Sequence, residues 1–191
     1  MSRKGNLFVI SGPSGAGKGT LVARLLEMVP DTWVSISCTT RSPREGEKEG
    51  VHYYFKTRDE FMALADQGGL LEWAEYSGNC YGTPRQVVEE RMAEGMQVIL
   101  EIDVQGGFQI REKIPAAHLV FIEPPSMEVL EQRLRGRGTE TEEAISRRLD
   151  AARVELSRKM EYDYVLVNDD LDEAAQKLAD YVNEMAEGNR G

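Results

Sequence analysis

Gly12-Pro13-Ser14-Gly15-Ala16-Gly17-Lys18-Gly19-Thr20 decides the fold of this chain. It directly follows the apolar run Leu7-Phe8-Val9-Ile10, which reads as a buried strand. It leads into Leu21-Val22-Ala23-Arg24-Leu25-Leu26, which reads as a helix with one apolar face. Strand, glycine loop, and helix with a lysine at the junction form the setting of a P-loop. The glycines lack Cβ, so the backbone can close around a polyphosphate with its N–H groups turned inward. The helix N-terminus adds partial positive charge and Lys18 a full one. An incidental glycine turn would not need that context, and the ligand implied is a nucleoside triphosphate. The Ser or Thr that usually follows the lysine is replaced by Gly19, and the hydroxyl arrives one residue later at Thr20.

Working outward, Trp33-Val34-Ser35-Ile36-Ser37 alternates like a strand after the break at Pro30-Asp31-Thr32. Thr39 to Gly50 reads as an exposed polar loop and Val51-His52-Tyr53-Tyr54-Phe55 as another strand. Thr57-Arg58-Asp59-Glu60 is a capping box opening a short helix that ends near Gly68-Gly69. Leu70 to Tyr76, the turn Ser77-Gly78-Asn79 and Tyr81 suggest a hairpin. Thr83-Pro84-Arg85-Gln86 combines an N-cap, a proline at the first helical position and a capping-box Gln. Met96 to Asp103, His118 to Ile122 and Tyr164 to Val167 are further strands, with helical patterns between them. The last helix carries Leu171, Ala174, Ala175, Leu178, Val182 and Met185 on one stripe. Alternating strands and helices predict an α/β fold, a parallel sheet covered on both faces. Ligands of such sheets sit beyond the carboxyl ends of the strands, where the P-loop, Ser37 and Asp103 fall.

At 191 residues, one core domain with insertions is expected. The net charge of −10 argues against a nucleic acid polymer as partner, which would want a basic face. Cys38 and Cys80 are too few and too widely spaced for a disulfide framework or a zinc site, and read as reduced core or near-site residues. No apolar run approaches the ~20 residues of a membrane span. The N-terminal residues run straight into the first strand without a signal peptide, so no membrane is expected and the reading is cytoplasmic.

Ser37-Cys38-Thr39-Thr40-Arg41-Ser42-Pro43-Arg44 places two arginines three residues apart, and two planar guanidinium forks can clamp one phosphate. The alternative is a solvated basic loop. Tyr53 and Tyr81 could donate to the same phosphate, although each taken alone reads rather as a core or interface residue. Arg133, Arg135, Arg137, Arg147, Arg148 and Arg153 form the densest basic cluster of an acidic chain. Gly136 and Gly138 flank Arg137, and Thr139 or Thr141 can cap the next helix. This reads as a mobile arginine-bearing lid, with helical ion pairs accounting for Arg133, Arg135 and Arg153. His52 and His118 read as structural.

These motifs, taken together, resemble guanylate kinases. The residues that carry the resemblance are Gly12 to Thr20, Thr39-Thr40-Arg41-x-Pro43-Arg44, Glu72-Trp73 and Ser77-Gly78-Asn79-x-Tyr81-Gly82-Thr83. They continue with Glu101-Ile102-Asp103-x-Gln105-Gly106, Gly136-Arg137-Gly138-Thr139 and Val167-Asn168-Asp169, in order over essentially the whole chain. The resemblance implies a P-loop NTPase fold with a core (5–36, 84–125 and 155–190), a small β-rich GMP-binding insertion (37–83) and a helical lid (126–154). It implies ATP at Gly12, Pro13, Ser14, Gly15, Ala16, Gly17, Lys18, Gly19, Thr20 and Asn168. It implies GMP at Ser37, Arg41, Arg44, Tyr53, Glu72, Tyr81, Gly82, Thr83 and Asp103. Lys18, Arg137 and Arg148 fall at the positions that act on the transferred phosphoryl group. Two departures stand out: Glu101 where many members carry Asp, and Gly19 where others carry Ser.

The chemistry fits those residue types. Guanine presents N1–H and its 2-amino group side by side, so one carboxylate, Glu72, can accept both, and Thr83 can donate to O6. A wrong base would leave that carboxylate unpaired, which supports roughly 10⁴-fold rejection. The expected reaction is ATP + GMP ⇌ ADP + GDP with Mg²⁺, serving guanine nucleotide synthesis and salvage, with dGMP as a further acceptor. Thr20, Glu101 and Asp103 are the metal candidates, mostly through water. Asp103 also falls near the guanine amino group, and sequence does not separate its two roles. A non-catalytic guanylate-kinase-like scaffold module is the first rival. It is opposed by Lys18, Arg137 and Arg148 and by the lack of a PDZ- or SH3-like companion. A kinase for AMP or a ribose phosphate is the second, opposed by Glu72 with Thr83.

Overall fold

The computed structural model describes residues 3–136, 138 and 141–188. Its centre is β1 (Asn6–Ser11), every residue of which is buried. The period-two alternation of the strand sends Phe8 and Ile10 to one face and Leu7 and Val9 to the other. β1 is flanked in parallel by β7 (Gln97–Glu101) and β8 (His118–Glu123). β2 (Thr32–Val34) and β9 (Tyr164–Val167) close the two edges, giving the order β2-β7-β1-β8-β9 with all pairs parallel.

Helices cover both faces, as expected for strands this apolar. α1 (Lys18–Met28) and α7 (Leu171–Glu187) bury Leu21, Leu25, Leu178 and Val182 against Phe8, Ile10, Ile99 and Val120. On the other face α3 (Arg85–Ala93) and α4 (Val104–Lys113) bury Val88 and Ile110 against Leu7, Val9, Leu100 and Phe121. Phe8 has no exposed surface, and Phe8→Ala should cost about 3–5 kcal/mol. None of the described helices is long and apolar enough to cross a membrane.

A second sheet lies between β2 and α3 in the chain. It has the order β4-β3-β6-β5, formed by β3 (Cys38–Thr39), β4 (Tyr54–Phe55), β5 (Leu70–Tyr76) and β6 (Asn79–Pro84). It has its own small core of Cys38, Phe61, Leu70 and Cys80, closed by α2 (Arg58–Asp66). The cysteines are free and buried. The capping box at Thr57 is present in both directions. α5 (Met127–Gly136) and α6 (Glu142–Ser157) form a third cluster around Leu130, Leu134, Ile145 and Leu149. Thr141 caps α6 by accepting from the Ala144 N–H.

Three local expectations change. Ser35 to Ser37 are not strand: β2 stops at Val34, Ser35 N–H still donates to the Ile99 carbonyl at 2.9 Å, and the chain then leaves the sheet edge for the second sheet. Val51 and His52 curl in a turn, both N–H groups donating to the Lys48 carbonyl while Lys48 N–H donates to His52 Nδ1, so β4 begins only at Tyr54. Thr83 is not a helix cap. It sits inside β6, and Pro84 precedes the helix at Arg85 with no side-chain cap, because the Thr83 hydroxyl is directed at a buried carboxylate.

Candidate active site

The P-loop joins β1 to α1 at the carboxyl ends of the parallel strands. Gly17, the N-cap of α1, has φ 89°, and a Cβ there would stand 2.3 Å from Asn168 Nδ2. Gly12 has no room either, since a Cβ would lie 2.1 Å from the Ile122 carbonyl oxygen. Asn168, which follows β9, donates through Nδ2 to the Ala16 carbonyl at 2.8 Å. Its own carbonyl accepts from the Arg133 guanidinium at 2.9 Å. The loop is therefore fixed from β9 and from α5. Arg133 thus differs from its expected role in a surface ion pair, whereas Arg135 pairs with Glu131 and Glu142, and Arg153 with Asp150, as expected.

Lys18 Nζ reaches back to the carbonyls of Gly12 (2.5 Å) and Pro13 (3.2 Å). Arg148, on α6, donates to Ser14 Oγ at 2.6 Å, so the α5–α6 pair already touches the loop. Gly15, Gly19 and Thr20 lie on the loop and first turn of α1, with Gly19 and Thr20 exposed. Arg137 lies outside the described residues, as does Thr139.

Beside the P-loop, at the same end of the sheet, a cavity of about 300 Å³ opens between the two sheets. Ser37, Tyr53, Glu72, Tyr81, Gly82 and Asp103 line it, together with Ala74, Tyr76, Glu101 and Ile102. Glu72 is 6% exposed, and burial raises its carboxyl pKa. Thr83, paired with Glu72 in the β5–β6 register, donates its hydroxyl to Glu72 Oε1 at 2.6 Å. The proton expected to face guanine O6 is thus directed at Glu72 instead. Thr83 takes up part of this carboxyl, and the lone pairs it leaves can serve further donors. On the opposite side a Cβ at Gly106 would stand 3.0 Å from Oε2, so α4 approaches closely only because that residue is glycine. α4 is tied to β5 beside it: Gln109 accepts from Trp73 N–H and donates to the Trp73 carbonyl, at 3.2 and 3.1 Å.

Asp103 caps α4, its Oδ1 accepting from Gly106 N–H at 2.7 Å. Arg41 stands at the cavity edge over the Tyr53 ring, 5.3 Å from its centroid. It forms a two-pronged pair with Glu47 at 2.9 Å for each prong. Glu47 also accepts from Arg44 N–H at 2.8 Å, and these two donors hold its carboxyl down at about 2. Arg44 itself is exposed on the loop. His52 and His118 are structural in place, His118 stacking on Phe8.

Three groups near the site escaped the sequence reading. Glu47 sat unremarked in a polar loop, although the Gly46 turn brings it back on Arg41. Glu155 of α6 has its carboxyl pKa raised by burial, with Lys18 opposing the shift. Tyr162 packs its hydroxyl near Gly107, and burial pushes its pKa to about 12. The last two come from segments distant in sequence, and no local pattern marks them.

A guanylate kinase family model matches residues 4–185. A guanylate kinase of Synechococcus sp. (strain CC9902) is 57% identical over 178 residues, covering 93% of this chain and 95% of the relative. A guanylate kinase of Desulfitobacterium hafniense is 52% identical, covering 91% of this chain and 87% of the relative. Among solved structures, the guanylate kinase of Anaplasma phagocytophilum superposes with a TM-score of 0.77 at 37% identity, over 99% of this chain and 89% of that one.

Proposed function

The chain belongs to the guanylate kinase family, whose members phosphorylate GMP, and from that premise we propose how its residues divide the reaction ATP + GMP ⇌ ADP + GDP. Residues 12–20 hold the polyphosphate of ATP, with Asn168 bracing the loop. Residues 37–83 form the acceptor-binding unit, residues 126–154 the lid, and 5–36, 84–125 and 155–190 the core.

Glu72 reads the acceptor base. The observation that carries this is a buried carboxylate, steadied by Thr83 on one side and given room by Gly106 on the other, facing a cavity. It can accept guanine N1–H and the 2-amino group at once, whereas adenine offers no such pair of donors. Asp103 and Gly82 border the base. Ser37, Arg41, Arg44, Tyr53 and Tyr81 take the acceptor phosphate, Arg41 exchanging its Glu47 partner for phosphate oxygens or sharing them. Base edge and phosphate are common to GMP and dGMP, so dGMP is a second acceptor.

Phosphoryl transfer requires alignment, neutralised charge and excluded water more than covalent help. Lys18 leaves the loop carbonyls for the phosphates. Arg148, already against Ser14, and Arg137 add positive charge where charge moves during transfer. Mg²⁺, entering with ATP, would supply neutralising charge to the phosphates. Among the described residues no group of three or more His, Cys, Asp or Glu could hold a metal alone. Mg²⁺ needs no such group, since it binds through one or two carboxylates together with phosphates and water. Glu101 and Asp103 stand at the strand ends to serve it. We assign the reaction to guanine nucleotide synthesis and salvage in the cytoplasm. The test is a coupled assay of ADP release with GMP, AMP, UMP and CMP. Preference for GMP by about 10³-fold or more is expected, and comparable rates with AMP would overturn the base assignment.

A further inference from the structure

Arg41 is already engaged over most of its guanidinium, and the pattern of engagement separates two ways of taking the acceptor phosphate. Nη1 donates to Glu47 Oε2 at 2.9 Å and to the Ser42 carbonyl at 2.8 Å. Nη2 donates to Glu47 Oε1 at 2.9 Å. Three of the five N–H donors of the fork are thereby used, with Glu47 seated end-on. The other two, Nε–H and the outer Nη2–H, lie side by side on one edge, spaced to grip two oxygens of one phosphate. The guanidinium sits over the Tyr53 ring, 5.3 Å from its centroid, and Tyr81 joins Glu47 in favouring its charged form. Both tyrosines line the acceptor cavity.

Glu47 is itself held in place. Gly46 turns the chain with φ 85°. Glu47 N–H donates to the Arg44 carbonyl at 3.0 Å, and Arg44 N–H donates to Glu47 Oε2 at 2.8 Å. The carboxylate therefore belongs to a turn closed from both directions, and the Arg41 and Glu47 side chains are only 14% and 18% exposed. Displaced from Arg41 by a phosphate, it would keep the single Arg44 N–H donor and stand beside a dianion. Left in place, it has the guanidinium between itself and the phosphate.

We propose that Glu47 is a positioning residue for the acceptor phosphate: it stays on Arg41 when GMP enters and keeps the Nε–Nη2 edge for the phosphate oxygens. The proposal rests on the reading that Arg41 takes that phosphate, and it selects sharing over exchange.

Glu47→Gln decides between the two modes by the sign of its effect. The amide keeps the size of the side chain but turns an NH₂ against one prong of the fork. GMP affinity is measured by calorimetry and both KM values by steady-state kinetics, in the unaltered protein, Glu47→Gln, Arg41→Ala and the double variant. The expected result is about a tenfold loss of GMP affinity in Glu47→Gln, with a matching rise in the GMP KM and a constant ATP KM. In the Arg41→Ala background the same substitution should change GMP affinity by no more than about twofold, because Glu47 acts through Arg41. Tighter GMP binding in Glu47→Gln overturns the proposal, since the carboxylate would then be an occupant that GMP must displace. So does unchanged affinity, or a loss that persists in full without Arg41, which would make Glu47 a brace of the loop alone. If Arg41→Ala by itself leaves GMP affinity unchanged, the phosphate reading of Arg41 falls instead.

Discussion

The two substrate-facing halves of this molecule are made of different material. The P-loop half is backbone: left-handed glycines, loop carbonyls that hold Lys18, and an Asn168 amide that holds Ala16. The acceptor half is side chain: Glu72 on β5 meets Thr83 on β6 only because the second sheet pairs those strands, and Arg41 follows β3 of the same sheet. A backbone-built site is continuous in sequence and recognises what all polyphosphates share. A side-chain-built site is scattered and can recognise one base. On the proposed division of roles, the first half binds generically and the second supplies identity.

The contrast is tested most severely at Lys18. Its ammonium rests on carbonyls and carries little packing, so Lys18→Ala should lower kcat by about 10³-fold with GMP affinity and circular dichroism unchanged. Loss of GMP binding in that variant would break the division into halves. Arg148→Ala should follow with a fall in kcat of about 10²-fold and modest change in either KM. A loss confined to ATP binding would make it a ground-state contact. Arg41→Lys keeps the charge but not the planar fork. The GMP KM should rise about tenfold while the ATP KM stays nearly constant, as steady-state kinetics on both substrates would show. Equal weakening of both would mean the Arg41–Glu47 loop is structural.

The smallest effect is on stability. Burial raises the Glu72 pKa above its unfolded value, so the folded protein binds a proton more readily, and stability is lost as pH rises from the unfolded value through the folded one. Above the unfolded value the raised pKa is therefore a net cost to folding. Glu72→Gln removes that cost, and its amide oxygen still accepts from Thr83. Calorimetry at pH 7 should show Tm higher by about 2–4 °C, with the gain shrinking on acidification. A lower Tm at pH 7 would mean the carboxylate is stabilising where it stands.

The same contrast explains what the sequence discloses. The P-loop, the order of core elements and the Thr57 capping box are local, so spacing alone reveals them. No local pattern marks Glu72 as buried; the family resemblance singles it out, and the β5–β6 pairing brings Thr83 to it. Thr83-Pro84 has every local sign of a helix start, but a tertiary hydrogen bond claims the hydroxyl. Arg133 looks like one more helical ion-pair partner, because its acceptor, the Asn168 carbonyl, lies 35 positions away. Glu155 comes within the electrostatic influence of Lys18 only because α6, 137 positions further along the chain, lies near the loop.

The central claim is that the acceptor half reads guanine through Glu72, and the ratio of GMP to AMP kcat/KM in the unaltered protein and in Glu72→Gln tests it directly. The variant turns an NH₂ donor toward one guanine donor and can offer that donor to adenine N1. The expected cost is about 2–4 kcal/mol in GMP kcat/KM, so the ratio should fall by roughly 30-fold or more. A ratio that stays constant while both activities change together would show that Glu72 does not read the base.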